Sequence, residues 1–111
     1  MAKSGDRKVI LVIPSEYDNN GTTTTVTTLG TEAFKNCVNV IRLEIPNGIT
    51  QICDGTFKSC TGITGKLTLP NSLTYLGGYM NNGAFAWCTG ITSVNIPKSI
   101  TSTAKNGAYQ T

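Results

Sequence analysis

The chain has 111 residues, of which 14% are charged, and its formal net charge is +3. One hydrophobic core is expected at this length. Nucleic-acid binding is not expected, because the positive charge comes largely from Lys3, Arg7 and Lys8 and forms no basic stripe with interleaved aromatic residues. No run reaches the roughly 18 apolar residues of a membrane span, so no membrane insertion is expected, and the polar start followed by a short apolar segment predicts no signal peptide in this chain.

The first predicted element is a strand from Val9 to Ile13. It is apolar on both faces, with Ile10 and Val12 at the outward positions, which is the pattern of a strand covered on both sides. The loop over residues 15–25 contains Asn20-Gly21, a strong signal for a hairpin turn. We therefore expect a partial first coil over residues 9–25, preceded by an N-terminal arm over residues 1–8 that anchors the chain to a partner.

A sequence block then recurs three times, and it decides the predicted architecture. Each copy has a phenylalanine, two variable residues, a cysteine and a short alternating apolar run closed by proline; the copies run over residues 34–46, 57–70 and 85–97. The interval between the second and third copies is five residues longer than the first interval, with one residue inserted near Gly65 and four in the loop over residues 77–83. A repeat of this length cannot bury its apolar face alone, so the copies must stack on one another.

The predicted fold is a β-rich solenoid of about four short coils with parallel strands and little helix. It covers residues 9–103, with complete coils over residues 26–48, 49–72 and 73–99 after the partial one, and an incomplete terminal coil or tail over residues 104–111. The expected core is a stack of aromatic rings with a ladder of cysteines behind it, formed by Phe34, Phe57, Phe85, Cys37, Cys60 and Cys88. Cys53, which replaces a glycine of the other coils, is expected to be the most exposed thiol.

Neither a catalytic nor a metal site is predicted. The chain has no histidine, which is the usual base for a serine or cysteine nucleophile. A zinc site would require all four cysteines. Three equivalent cysteines cannot all pair with one another, so free structural thiols are favoured over a single disulfide. No cofactor is expected.

The candidate binding residues lie on the strands that precede each proline. Side chains alternate along a strand, so one set points inward and the other outward. The outward set, stacked across the coils, is Arg42, Glu44, Lys66, Thr68, Ser93 and Asn95. Three aromatic residues are further candidates, namely Tyr75, Tyr79 and Trp87. For Trp87, packing against the inserted loop is an equal alternative.

The threonines at equivalent positions of the following segments are favoured as a strand-stabilising ladder rather than a ligand site. They are Thr27, Thr50, Thr74 and Thr101.

The repeats resemble the BspA-like leucine-rich repeat family. The resemblance rests on Ala33-Phe34 and Ala84-Phe85, each followed by two residues, a cysteine and a proline-terminated strand, and it extends over residues 9–103. It implies a right-handed solenoid in a surface-exposed protein that takes part in adhesion. Similar repeats also occur in proteins of phages that infect gut bacteria.

Two functional classes remain open. The first is a non-enzymatic binding or adhesion module that recognises a protein or glycan through its strand face or the loop over residues 77–83, on a cell surface or outside the cell. The second is a structural or attachment component of a phage virion, docked through the uncapped ends of the stack. For either class we expect a homo-oligomer or a larger assembly, because a solenoid needs atypical terminal units to shield its core from water.

Overall fold

The computed structural model describes residues 8–78, 83–100 and 102–103, and in this part of the chain the regular secondary structure consists of short strands without a helix. The strands are β1 (Val9–Val12), β2 (Glu16–Asn19), β3 (Thr22–Thr25), β4 (Thr28–Leu29), β5 (Val40–Glu44), β6 (Gln51–Ile52), β7 (Gly65–Leu67), β8 (Tyr75–Leu76), β9 (Ile91–Val94) and β10 (Ser102–Thr103). The expected anchoring arm (apart from Lys8), the terminal tail, Tyr79, Thr101 and the centre of the inserted loop lie outside the described residues.

The two-residue strands of successive repeats form one parallel sheet, in the order β10-β8-β6-β4. Their register pairs Thr28 with Gln51, and Gln51 with Tyr75. Threonine hydroxyls reinforce this side of the stack, since Thr50 donates to the carbonyl oxygen of Thr27 at 3.2 Å and Thr74 donates to that of Thr50 at 3.1 Å. The threonine ladder therefore ties neighbouring repeats together.

The longer strands form two separate parallel pairs, β1 with β5 and β7 with β9. Within the described residues β5 and β7 are not paired, so the strand face is interrupted, whereas the sequence predicts a continuous stack of outward side chains. The interruption coincides with the inserted residue. Three residues separate the buried Ile63 and Leu67, whereas only two separate Val40 and Leu43 in the preceding repeat.

A hairpin connects the first strand to the repeats. Strands β2 and β3 are antiparallel, and the turn residues Asn20 and Gly21 both have positive φ, 54° and 89°, as a type I′ turn requires. The Gly21 N–H donates to Oδ1 of Asp18 at 2.9 Å and closes the turn. The hairpin signal in the sequence thus corresponds to a real turn.

The core is centred on three stacked phenyl rings. The ring of Phe57 lies 5.3 Å from that of Phe34 and 5.1 Å from that of Phe85, with interplanar angles of 6° and 9°. The thiol of Cys60 donates to the carbonyl oxygen of Phe34 at 3.1 Å, and that of Cys88 donates to the carbonyl oxygen of Phe57 at 3.0 Å. Burial raises the pKa of Cys60 to about 12 and that of Cys88 to about 11. Both thiols are therefore neutral donors that bridge successive repeats.

The first layer of the core is less enclosed than the sequence predicts, and the last layer is partly exposed as well. Phe34 and Cys37 are only half-buried, because the first coil carries the hairpin and has no phenylalanine–cysteine block to cover them. Ile96, just before the proline of the last repeat, is 52% exposed. Cys53 and Cys37 are both half-buried, whereas the sequence predicts that Cys53 alone is the most exposed thiol.

Candidate functional site

An open cleft lies between the two pairs of longer strands. It has a volume of about 330 Å³, and Arg42 and Glu44 of β5 face Lys66 and Thr68 across it. Its lining is completed by Leu43, Ile45, Ile63, Thr64 and Leu67. We call this the β5–β7 cleft. It brings four of the sequence-predicted binding residues together on two facing walls.

A second hollow, of about 360 Å³, continues the β5–β7 cleft along the chain. It shares Ile45 and Thr68 with the cleft and adds Asn47, Leu69, Pro70, Asn71 and Asn95. Together the two hollows form an elongated groove that follows the strand direction.

The two repeats are in close contact at either side of this groove. On one side, a Cβ atom on Gly62 would collide with the carbonyl oxygen of Val38 and lie 2.8 Å from that of Val40. On the other side, the hydroxyl of Ser72 donates to the carbonyl oxygen of Ile49 at 2.7 Å and accepts from the N–H of Gly48 at 2.9 Å. The opening is therefore a local gap between repeats that are otherwise packed together.

The edge of β5 that faces the cleft carries backbone groups available for pairing. The carbonyl oxygen of Glu44 accepts from the N–H of Ile13, so the backbone of Glu44 is directed towards the first coil. Successive residues of a strand direct their N–H and C=O groups to opposite edges. The backbone groups of Leu43 and Ile45 therefore point into the cleft.

The opposite wall of the cleft also directs backbone groups into it. The N–H of Leu69 donates to Oδ1 of Asn95 at 2.7 Å, and Nδ2 of Asn95 donates to the carbonyl oxygen of Leu69 at 3.1 Å, so the backbone of Leu69 faces the last repeat. By alternation, the backbone groups of Lys66 and Thr68 face the cleft. Within the described residues no hydrogen bond joins these two walls.

The charges of the cleft are ordered along its length. Arg42 and Lys66 each lie four residues before the proline of their repeat, and both are exposed, so they flank one end of the cleft with positive charge. Glu44 and Thr68 lie two residues further on. In the described part of the chain neither cation has an ion-pair partner. The cleft thus has a cationic section, followed by a section with the negative Glu44 on one wall and the neutral Thr68 on the other.

The remaining strand-face candidates lie on β9 or just beyond it, where they do not line the β5–β7 cleft itself. Ser93 is exposed, whereas Asn95 uses its amide to continue the pairing between the last two repeats, in place of a backbone partner. The pattern of alternation alone could not reveal this structural role of Asn95.

The two aromatic candidates in the described part of the chain, Tyr75 and Trp87, do not line the cleft. The hydroxyl of Tyr75, on the sheet of short strands, donates to Oδ1 of Asp54 at 3.4 Å; burial raises the pKa of Tyr75, and the charge of Asp54 adds to the effect. Trp87 is 45% exposed and has a φ of 64°, at a position where the other repeats have Asn36 and Ser59. A left-handed backbone is unfavourable for a bulky residue, and the cost at Trp87 is not offset by full burial of the side chain.

No helix in the described part of the chain is long and apolar enough to cross a membrane, and no three histidine, cysteine, aspartate or glutamate side chains there are grouped as metal ligands would be.

Comparison with known proteins gives the family. A family model described as "BspA type Leucine rich repeat region (6 copies)" matches residues 19–111, which is more than half of the chain. The chain belongs to the BspA-type leucine-rich repeat family. Repeats of this family are generally surface-exposed and mediate adhesion or binding. No curated protein matches the chain.

Among solved structures, the BspA-type chain is similar to a leucine-rich repeat protein from Bacteroides ovatus ATCC 8483. The TM-score is 0.72 at 20% sequence identity, and the match covers 86% of this chain and 24% of that one. The likeness shows the leucine-rich repeat fold, and the chain spans about a quarter of the length of that protein.

Proposed function

We propose that the chain is a non-enzymatic binding module of a surface-exposed protein and that it recognises a protein partner through the β5–β7 cleft. The proposal rests on the cleft itself: the exposed residues Arg42 and Lys66 lie on its two walls, and backbone groups of both repeats point into it. The family's general role in adhesion and binding supports the same conclusion. The absence of histidine from the sequence supports a non-enzymatic role.

We also infer that residues 9–103 form a right-handed solenoid of about four coils. The parallel register of β4, β6, β8 and β10 supports it, as do the stacked rings of successive repeats. In a solenoid of this kind, the strands of successive repeats form one extended surface that is suited to binding a partner.

A comparison of charge-removing variants tests the proposed function. The double variant Arg42→Ala with Lys66→Ala should weaken capture of the partner, while its melting temperature stays within a degree or two of the parent's. Lys98→Ala removes one exposed positive charge outside the cleft and is the matched control. If only shortening the loop over residues 77–83 affects capture, the loop is the site and the cleft assignment is wrong.

A second candidate function is docking on a larger assembly such as a phage virion. It is favoured by the outward side chains of β1, because Ile10 and Val12 are 53% and 58% exposed. Within the described residues β1 pairs only with β5, so its other edge is open as well. Light scattering distinguishes the two functions: concentration-dependent association favours assembly, and a stable monomer at high concentration contradicts it.

A further inference from the structure

We propose that the β5–β7 cleft binds an extended peptide segment of the partner protein as an added strand, with an acidic side chain of that segment held between Arg42 and Lys66. This inference rests on the proposed function and specifies the class of partner and its mode of binding.

The backbone geometry favours a peptide strand. By the alternation of the strands, both walls direct main-chain N–H and C=O groups into the cleft, from Leu43 and Ile45 on one side and from Lys66 and Thr68 on the other, and no hydrogen bond joins the two walls in the described part of the chain. An extended peptide carries donors and acceptors along both of its edges, which is the basis of strand addition to exposed sheet edges. Because β1, β5, β7 and β9 belong to parallel pairs, one inserted strand would join them into a single sheet.

The length of the contact is set by the facing segments. Each wall offers backbone groups over about three residues, so the paired part of the ligand spans roughly 10 Å at about 3.3 Å per residue. The adjoining hollow extends the groove beyond Thr68. A ligand segment of about five residues in extended conformation therefore fills the groove.

The side chains of the walls specify a pattern for the ligand. A ligand residue that points outward between Arg42 and Lys66 experiences two cations, so an aspartate or glutamate is favoured there. Two residues further along, the outward side chain lies between Glu44 and Thr68, where a hydroxyl avoids a second negative charge. Between these two positions the side chain points inward.

The inward position is apolar. Leu43 and Leu67 are both buried at the base of the cleft, so a small aliphatic side chain is favoured between them. The preferred segment therefore reads acidic, small apolar, hydroxyl. A glycan is a weaker match, since it lacks a repeating series of amide donors, and no aromatic side chain of the described residues lines the cleft to pack against a sugar ring.

An array of short peptides tests the proposal on the full chain. The parent probe is acetyl-Gly-Ser-Val-Asp-Val-Thr-Val-Ser-Gly-amide, and the array varies the three valines among valine, alanine and threonine. One control replaces aspartate by lysine, and another methylates alternate backbone amides, which removes hydrogen-bond donors without changing charge. A glycan array is screened in parallel.

Three results are expected from this experiment. Replacing aspartate by lysine weakens binding about tenfold or more, because two attractive pairs become repulsive, and backbone methylation weakens it at least as much. The Arg42→Ala and Lys66→Ala variants each weaken binding to the aspartate peptide, whereas Lys98→Ala leaves it within about twofold. On binding, amide hydrogen exchange slows at the cleft-facing residues Leu43, Ile45, Lys66 and Thr68.

Four outcomes would overturn the inference. If glycans bind and the Arg42→Ala and Lys66→Ala variants abolish that binding while no peptide binds, the cleft is a binding site but the peptide assignment is wrong. If peptides bind with no dependence on backbone methylation, strand addition is wrong. If the four amides become protected at high protein concentration without peptide, a second copy of the chain is the occupant. If no probe binds and neither cation affects partner capture, the proposed function fails together with the inference.

Discussion

Replacing Phe57 with alanine should remove the centre of the aromatic stack. The side chain is fully buried and stacks on a second ring at 5.3 Å and a third at 5.1 Å. Burial of a phenylalanine contributes about 1.5–3 kcal/mol, and each stacked pair adds about 0.5–1.5 kcal/mol. These contributions add to about 2.5–6 kcal/mol, and phenylalanine-to-alanine changes in other cores place the expected loss in the free energy of unfolding at about 3–5 kcal/mol. A domain typically has only about 5–15 kcal/mol of stability.

Guanidinium denaturation followed by circular dichroism measures this loss, and Phe34 provides the matched control. Phe34 is half-buried and, among the described residues, stacks on a single ring, so Phe34→Ala should cost about 1–3 kcal/mol. A loss below about 1 kcal/mol for Phe57→Ala, or equal losses for the two variants, would show that the repeats are not stacked in this register.

Three further predictions concern the thiols, the tryptophan and the inserted residue. Burial raises the pKa of Cys60 and Cys88 above the ordinary value of 9.0, so both thiols stabilise the fold fully below about pH 9 and lose that contribution as the pH rises towards about 12. Cys60→Ala should therefore reduce the fall in stability between these pH values. Alkylation of the native chain should label the half-buried Cys37 and Cys53 first. Trp87→Asn should stabilise the chain by about 0.5–1 kcal/mol in thermal denaturation, because asparagine tolerates the left-handed backbone better; a marked destabilisation would instead show that the tryptophan packs on the inserted loop. Deleting Gly65 gives the second of the three repeats the cysteine-to-proline length of its neighbours and should let β5 pair with β7, seen as slower amide exchange along both strands; unchanged exchange would mean that the insertion does not cause the gap.

The sequence predicts the repeat architecture well because each repeat carries its own local pattern. The phenylalanine, the cysteine and the alternating run recur in register, and the asparagine–glycine turn of the hairpin is a short-range signal. These features require no knowledge of how neighbouring repeats fit, and the parallel pairing of the short strands follows from stacking alone.

The cleft could not be predicted in the same way, because strand pairing depends on how two repeats approach each other. The inserted residue near Gly65 was visible as an irregular spacing, but its effect on the pairing of β5 with β7 is a property of the packed chain. The side-chain pairing of Asn95 with Leu69 is likewise invisible in an alternating pattern. The half-buried state of Phe34 reflects a missing neighbour, not a different local sequence.

Residue-resolved amide exchange on the free chain tests the open β5–β7 cleft most directly. We predict fast exchange for the cleft-facing amides of Leu43, Ile45, Lys66 and Thr68, since among the described residues they have no partner across the gap. Slower exchange is expected for the amides that face the paired strands, those of Arg42, Glu44, Leu67 and Leu69. Equal protection of the two sets would show that β5 and β7 are paired in solution and would contradict the cleft and the function proposed for it.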